Sequence, residues 1–261
     1  MTDAFCHMTA LSLALVLAAA TALWLASLRL RDASIVDIFW APGFALMAWT
    51  AAGVTQHALS ARAVLVLALV SLWAARLGLH IVLRHAGEDR RYAAMRAAHG
   101  RRWWWWSLFQ VFLLQAVLIW LISWPLRMAA ASQAPLDALD MAGAVLASAG
   151  LLLEAVADWQ LTRFRRLAGN AGKVMDRGLW SWSRHPNYFG DAVLWWGFFL
   201  LGVGAVPAWW LVASPLAMTL LLLRVSGVSL LEETIVARRP DYADYIRRTS
   251  AFVPWPPRLK A

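Results

Sequence analysis

Apolar stretches about as long as a bilayer is thick recur along this chain, separated by short charged segments, and few architectures accommodate that pattern. A helix needs ~20 apolar residues to cross a hydrocarbon core. Such stretches are read at 8–28, 35–53, 63–83, 104–127, 138–158, 188–204 and 208–230, the last two joined tightly at Val206-Pro207. With 61% hydrophobic and only 15% charged residues over 261 positions, an ordinary soluble domain is excluded. The expected fold is all-α: a polytopic integral membrane protein of about seven transmembrane helices. No internal repeat and no long linker is evident, so 1–261 reads as one transmembrane domain. The first stretch carries Ala18-Ala19-Ala20, as a signal-peptide cleavage region does. Asp3 stands where a basic n-region belongs and the apolar run continues through Leu25, so it is expected to remain as a span.

The formal charge of +9 does not imply a nucleic-acid partner, because the positive residues sit beside the spans. Twenty of the 24 fall in four regions: after the first span (Arg29, Arg31), after the third (Arg84 to Arg102), after the fifth (Arg163 to Arg184) and in the tail (Arg238 to Lys260). The alternating segments 54–61, 129–137 and 205–207 hold none. By the positive-inside rule the N-terminus is out and the C-terminus cytoplasmic. Loops 84–103 and 159–187 and the tail 231–261 then lie on the cytoplasmic side, where they can cap a cofactor. The run Trp103 to Trp106 after Arg101-Arg102 reads as an interfacial aromatic belt. The lone Cys6 excludes an intramolecular disulfide and a multi-thiolate metal site, and no His/Cys spacing suggests zinc.

Polar chemistry concentrates in the cytoplasmic half. In Gly178-Leu-Trp-Ser-Trp-Ser-Arg-His-Pro-Asn-Tyr-Phe-Gly-Asp191, Arg184 and His185 can donate to phosphate oxygens, Pro186 favours a helix start, and the Asn187 amide offers a donor and an acceptor. The same groups read equally as a membrane-interface loop meeting lipid headgroups. Glu154, Asp158 and Arg165 share one face if the fifth helix continues. Asp158 with Arg165 is either a structural ion pair or a grip on ribose and phosphate. Arg224 lies near the inner end of the seventh span and is followed by Glu232-Glu233; in the tail beyond, Tyr242, Tyr245 and Arg248 at spacings of three mark a short helix that can close over a cofactor or lie on the membrane surface. Arg76 and His80 inside the third span are expected to face the bundle interior. Asp37, in Asp37-Ile-Phe-Trp-Ala-Pro-Gly43, reads as a buried acid or an interfacial charge. No Gly-x-Gly-x-x-Gly or Walker-type loop is present, which leaves Rossmann and P-loop nucleotide sites unsupported.

Three runs together, Arg-His-Pro-Asn-Tyr-Phe-Gly-Asp at 184–191, Glu-Asp-x-Arg-Tyr at 88–92 and Arg-Pro-Asp-Tyr-x-x-Tyr…Thr-Ser-Ala-Phe-x-Pro in the tail, resemble the uncharacterised bacterial branch of the steroid 5-alpha-reductase superfamily. The resemblance runs from about Asp37 to Pro257. It implies a multi-pass protein of the bacterial inner membrane whose cytoplasmic half binds NADPH and whose membrane half admits a hydrophobic enone from the bilayer. The activity implied is reduction of a carbon–carbon double bond conjugated to a carbonyl, in a steroid, sterol or isoprenoid lipid. Positions matching the cofactor grip are Asp158, Arg165, Asn187, Asp191 and Arg224, with Tyr188, Tyr242 and Tyr245 as walls. Asp37 matches the acid that orients the substrate carbonyl, and Trp73 stands where animal members have a tyrosine. Two rival readings are an S-adenosylmethionine-dependent methyltransferase resembling isoprenylcysteine carboxyl methyltransferase, which shares Arg-His-Pro-x-Tyr and a paired glutamate, and a non-catalytic lipid-binding protein.

Overall fold

The computed structural model describes residues 2–55, 57–225 and 241–257, and these are helical with no strand, apart from a parallel bridge between Ser183 and Ser250. In chain order the helices are α1 (Thr2–Leu30), α2 (Ile35–Val54), α3 (Ala61–Arg84), α4 (Arg90–His99), α5 (Trp103–Ser107), α6 (Leu114–Ile122), α7 (Trp124–Ala131), α8 (Ala138–Arg166), α9 (Pro186–Ala205), α10 (Ala213–Leu220) and α11 (Asp241–Arg248). Among the described residues six segments are long and apolar enough to cross a membrane: α1 from Phe5, α2, α3, the run Arg90–Ile122, α8 and α9. The stretch expected to be a seventh span is built in shorter pieces, a 3-10 turn at Trp209–Val212, then α10, then a π-helical turn at Leu221–Val225. Residues 226–230 of that stretch, with Glu232, Glu233, Arg238 and Arg239, lie outside the described residues. Packing divides the chain into two compact units, Met1–Met141 with Leu200–Leu211, and Ala142–Phe199 with Val212–Ala261.

In the first unit α2 packs on α1, α3 and α7. Pro42 inside α2 leaves Ile38 O without its helical donor, and Gly78 of α3 lies beside both, where an added Cβ would stand 3.6 Å from the Pro42 ring. Helix α1 stops because Arg31 adopts the left-handed conformation (φ 55°), with Asp32 N–H donating to Ser27 O at 3.1 Å in a Schellman-type closure. Two polar brackets hold the helix ends. At one, Arg62, 1% exposed, makes a bidentate pair with Asp140 (Nε to Oδ1 2.7 Å, Nη2 to Oδ2 2.5 Å) and donates to Ser132 Oγ and Pro135 O. Asp140 in the first turn of α8 and the loop before it thus satisfy the charge and donors that burial would otherwise strand. At the other, Glu88 accepts two bonds from Arg96 (2.7 and 3.0 Å) and one from Ala33 N (2.9 Å), while Asp32 meets His85 Nε2 at 2.7 Å.

The second unit is organised by a close antiparallel approach of the α8 and α9 segments. A Cβ on Gly150 would stand 2.4 Å from Leu194 N, one on Gly190 2.6 Å from Glu154 N, and one on Gly197 2.5 Å from Ala147 N. Backbone touches backbone at each position, so only glycine fits. This contact sets the register in which Asp158 of α8 meets Asn187 of α9. Gly190→Ala should lower the unfolding temperature, because overpacking of this kind costs about 1–3 kcal/mol. Gly53→Ala, with nothing within 4 Å, should leave stability unchanged or slightly higher. Thermal unfolding of the two variants in detergent checks the contrast.

Candidate functional site

The polar centre of the second unit lies where the α8–α9 contact opens. Asp158 is 5% exposed, and the Asn187 amide donates Nδ2–H to Asp158 Oδ1 at 3.0 Å. That bond orients the amide and turns Oδ1 the other way, where it is buried with no hydrogen-bond partner. A buried acceptor left in this state costs about 1–3 kcal/mol, and a ligand N–H or O–H would satisfy it. Asp191 follows Asn187 by one turn of α9, and Glu154 precedes Asp158 by one turn of α8; both are buried, at 5% and 4% exposure. Three buried acids, Glu154, Asp158 and Asp191, belong to a polar interior rather than to lipid-facing surface.

The loop before α9 forms the adjoining wall. His185 is buried and stacks on Tyr188, with ring centroids 5.6 Å apart and planes 9° from parallel. Arg184 is buried too, and its Nη1 donates to Thr249 O (2.6 Å) and Ile246 O (3.1 Å), capping the carbonyl end of α11. Tyr245 donates its hydroxyl to Trp180 O and packs edge-on against Tyr242, both rings being buried. Ser183 Oγ donates to Phe252 O at 2.8 Å, and Trp255 N–H to Trp182 O at 2.9 Å. The Arg-His-Pro-Asn-Tyr loop and the tail are therefore one interlocked piece. Outside it, the Arg248 hydrogen bond and charge, with Arg247, hold the exposed Asp244 carboxyl below the usual carboxylate range. Arg165 and Arg224 are exposed, at the ends of α8 and of the π-helical turn.

In the first unit Asp37 is half-buried and accepts from the Tyr92 hydroxyl at 2.7 Å and from Arg91 Nη2 at 3.1 Å. Gln115 Nε2 donates in turn to Tyr92 Oη at 3.3 Å. Asp89 caps α4, accepting from Arg91 N at 2.9 Å. Partial burial works to raise its carboxyl, but the Arg91 N–H and guanidinium outweigh this and hold the group below the usual carboxylate range. Trp73, fully buried, packs against Phe44 (5.9 Å between rings). Phe44 lies seven residues beyond Asp37 along α2, roughly 10 Å at 1.5 Å per residue. The neighbour of Asp37 is thus Tyr92 rather than Trp73. Nothing in the sequence pairs residues 55 apart, so Tyr92 was legible only as the end of the Glu-Asp-x-Arg-Tyr run. The tryptophan run divides as well: Trp103 is buried beneath Arg96 (5.6 Å over the ring), while Trp104 and Trp105 are exposed.

Residues 23–249 match the model of a family described as protein of unknown function (DUF1295). The chain belongs to this family. The match takes in every site residue named above, from Asp37 to Tyr245. No curated protein and no solved structure matches the chain. Family membership leaves the chemistry open, so the function rests on the residues themselves.

Arg184→Ala removes a charged donor from two carbonyls of the tail, bonds worth about 1.5–3 kcal/mol each to a charged group. Limited proteolysis should cut the tail at least ~10-fold faster than in wild type, with the rest of the chain intact on a gel.

Proposed function

We propose that the chain is a membrane-embedded, NADPH-dependent reductase of a carbon–carbon double bond conjugated to a carbonyl in a hydrophobic lipid, a steroid, sterol or isoprenoid enone. On this reading it is a seven-span protein of the bacterial inner membrane with its N-terminus out and its C-terminus cytoplasmic, and the substrate comes from the bilayer. The observation that carries the reading is Asn187: an amide held by Asp158, with its oxygen buried and lacking a donor. The residues around it fit a dinucleotide. An amide oxygen suits a carboxamide N–H or a ribose hydroxyl, and on this reading the His185–Tyr188 stack and the buried Asp191, Tyr242 and Tyr245 serve as the cofactor's walls. Arg165 and Arg224, both exposed, are assigned to the phosphates.

Bound NADPH supplies a hydride for the β-carbon of the enone. The chain has to supply a proton for the oxygen side of the conjugated system and exclude water while it does so. Tyr92 is the better proton source than Trp73, because a phenol is a far stronger acid than an indole N–H, which serves as a donor only. We assign the general-acid role to the Tyr92 hydroxyl, which donates to Asp37 and accepts from Gln115; to act it would turn its proton from Asp37 to the substrate oxygen, with Asp37 and Arg91 holding it in place.

NADPH should raise the unfolding temperature of the purified protein and S-adenosylmethionine should not; stabilisation by the latter alone would move the assignment to methyl transfer. Asn187→Ala should weaken NADPH binding about tenfold, the worth of one hydrogen bond of about 1.4 kcal/mol, by titration of the same thermal shift. With a panel of steroid and isoprenoid enones, Tyr92→Phe should lower kcat about 10²-fold or more while leaving NADPH affinity unchanged. Wild-type turnover in Tyr92→Phe would remove it as general acid.

A further inference from the structure

A second feature of the unit built on α8 and α9 lies apart from the residues assigned to the cofactor. A groove of about 440 Å³ is lined by Leu153 of α8, Gly178, Leu179 and Trp182 of the following loop, Pro186 at the start of α9, and Pro254 of the tail. The lining is apolar except for Ser181, whose hydroxyl donates to Gly178 O at 2.7 Å. Such a wall offers no polar group to orient a compact ligand, and it suits a hydrocarbon chain.

The groove is built rather than incidental. Gly178 takes φ +59° and lies so close to Gln160 that a Cβ would stand 2.7 Å from its Oε1. Leu179 N–H donates to the same Gln160 oxygen at 3.0 Å, and Trp180 Nε1 donates to Ala157 O at 3.0 Å. The loop is thereby fastened along the α8 face that carries Leu153, Ala157 and Gln160 at helical spacing. At the rim Trp182 is 48% exposed and Trp255 70% exposed, their backbones joined by the Trp255 N–H to Trp182 O bond. Exposed tryptophans of this kind collect at the level of lipid headgroups. Arg177, next to Gly178, is exposed, and the 159–187 segment around it carries Arg163, Arg165, Arg166 and Lys173 against a single acid, Asp176.

We propose that this groove holds one acyl chain of an anionic phospholipid, whose phosphate is met by Arg177. The apolar lining selects a chain, the tryptophan rim sets the depth, and the sign of the neighbouring charge selects the headgroup. The proposal does not depend on the reductase reading: the groove and Arg177 are distinct from the residues assigned to the cofactor, and only Arg165, one of the neighbouring charges, is shared with them.

The test uses the full protein in nanodiscs containing trace phosphatidylglycerol or phosphatidylcholine with a photoreactive diazirine in one acyl chain, with labelled sites located by mass spectrometry. Phosphatidylglycerol should label the 178–186 segment and Leu153 about fivefold more than phosphatidylcholine, the effect of one arginine at an anionic surface. Arg177→Gln should bring the two lipids to equal labelling, and Leu153→Trp, which fills the groove, should abolish it. Equal labelling of the wild type by both lipids, or labelling confined to other segments, would overturn the proposal, and that comparison needs no variant to fold. Loss of labelling on adding an enone that the protein reduces would also overturn it, because the groove would then be part of the substrate site.

Discussion

The contact of Gly150 with Gly190 is the constraint on which the second unit rests. Two helices can touch backbone to backbone only where neither carries a Cβ, and a Cβ at either position would stand 2.6 Å or less from a main-chain nitrogen of the other helix. Without a hydrophobic drive between helices in lipid, such close approach is how helices gain packing energy. It also fixes the register, and the register decides that Asn187 reaches Asp158 rather than a lipid tail. The orphaned amide oxygen and the buried carboxylates beside it follow from that one approach.

Elsewhere the chain deals with charge as a membrane protein does, by giving buried arginines acceptors from distant segments. Arg62 has Asp140 and three oxygens of the loop at 132–135. Arg127, also fully buried, lies 3.8 Å over the Trp124 ring and donates to Trp120 O and Ser12 Oγ. Each arrangement joins segments distant in sequence, so the ions serve as fasteners between helix ends. The Arg184 guanidinium does the same for the tail: a residue whose type suits phosphate also caps α11, which couples the shape of the Arg-His-Pro-Asn-Tyr loop to the docking of residues 241–257.

Much of this was legible in the sequence. The helical class and six of the spans are written in apolar stretches of bilayer length, a local property that no tertiary contact overrides. Of the stretch at 208–230, the described part, Trp209–Arg224, is an apolar helix shorter than the six spans, and 226–230 lie outside the described residues. The concentration of polar residues at 154–191 was equally visible, because acids and arginines are rare in apolar spans and stand out one by one.

What the sequence by itself determined is therefore the solvent of this protein and the places where its chemistry has to be. Only the tertiary structure decided the partners. Asp37 pairs with Tyr92 rather than Trp73, Asn187 with Asp158, and Arg62 with Asp140 across 78 residues. The physical reason is that hydropathy is summed along the chain, whereas a hydrogen bond depends on the register of two helices. In the second unit that register is set by glycines whose importance lies in the atoms they lack.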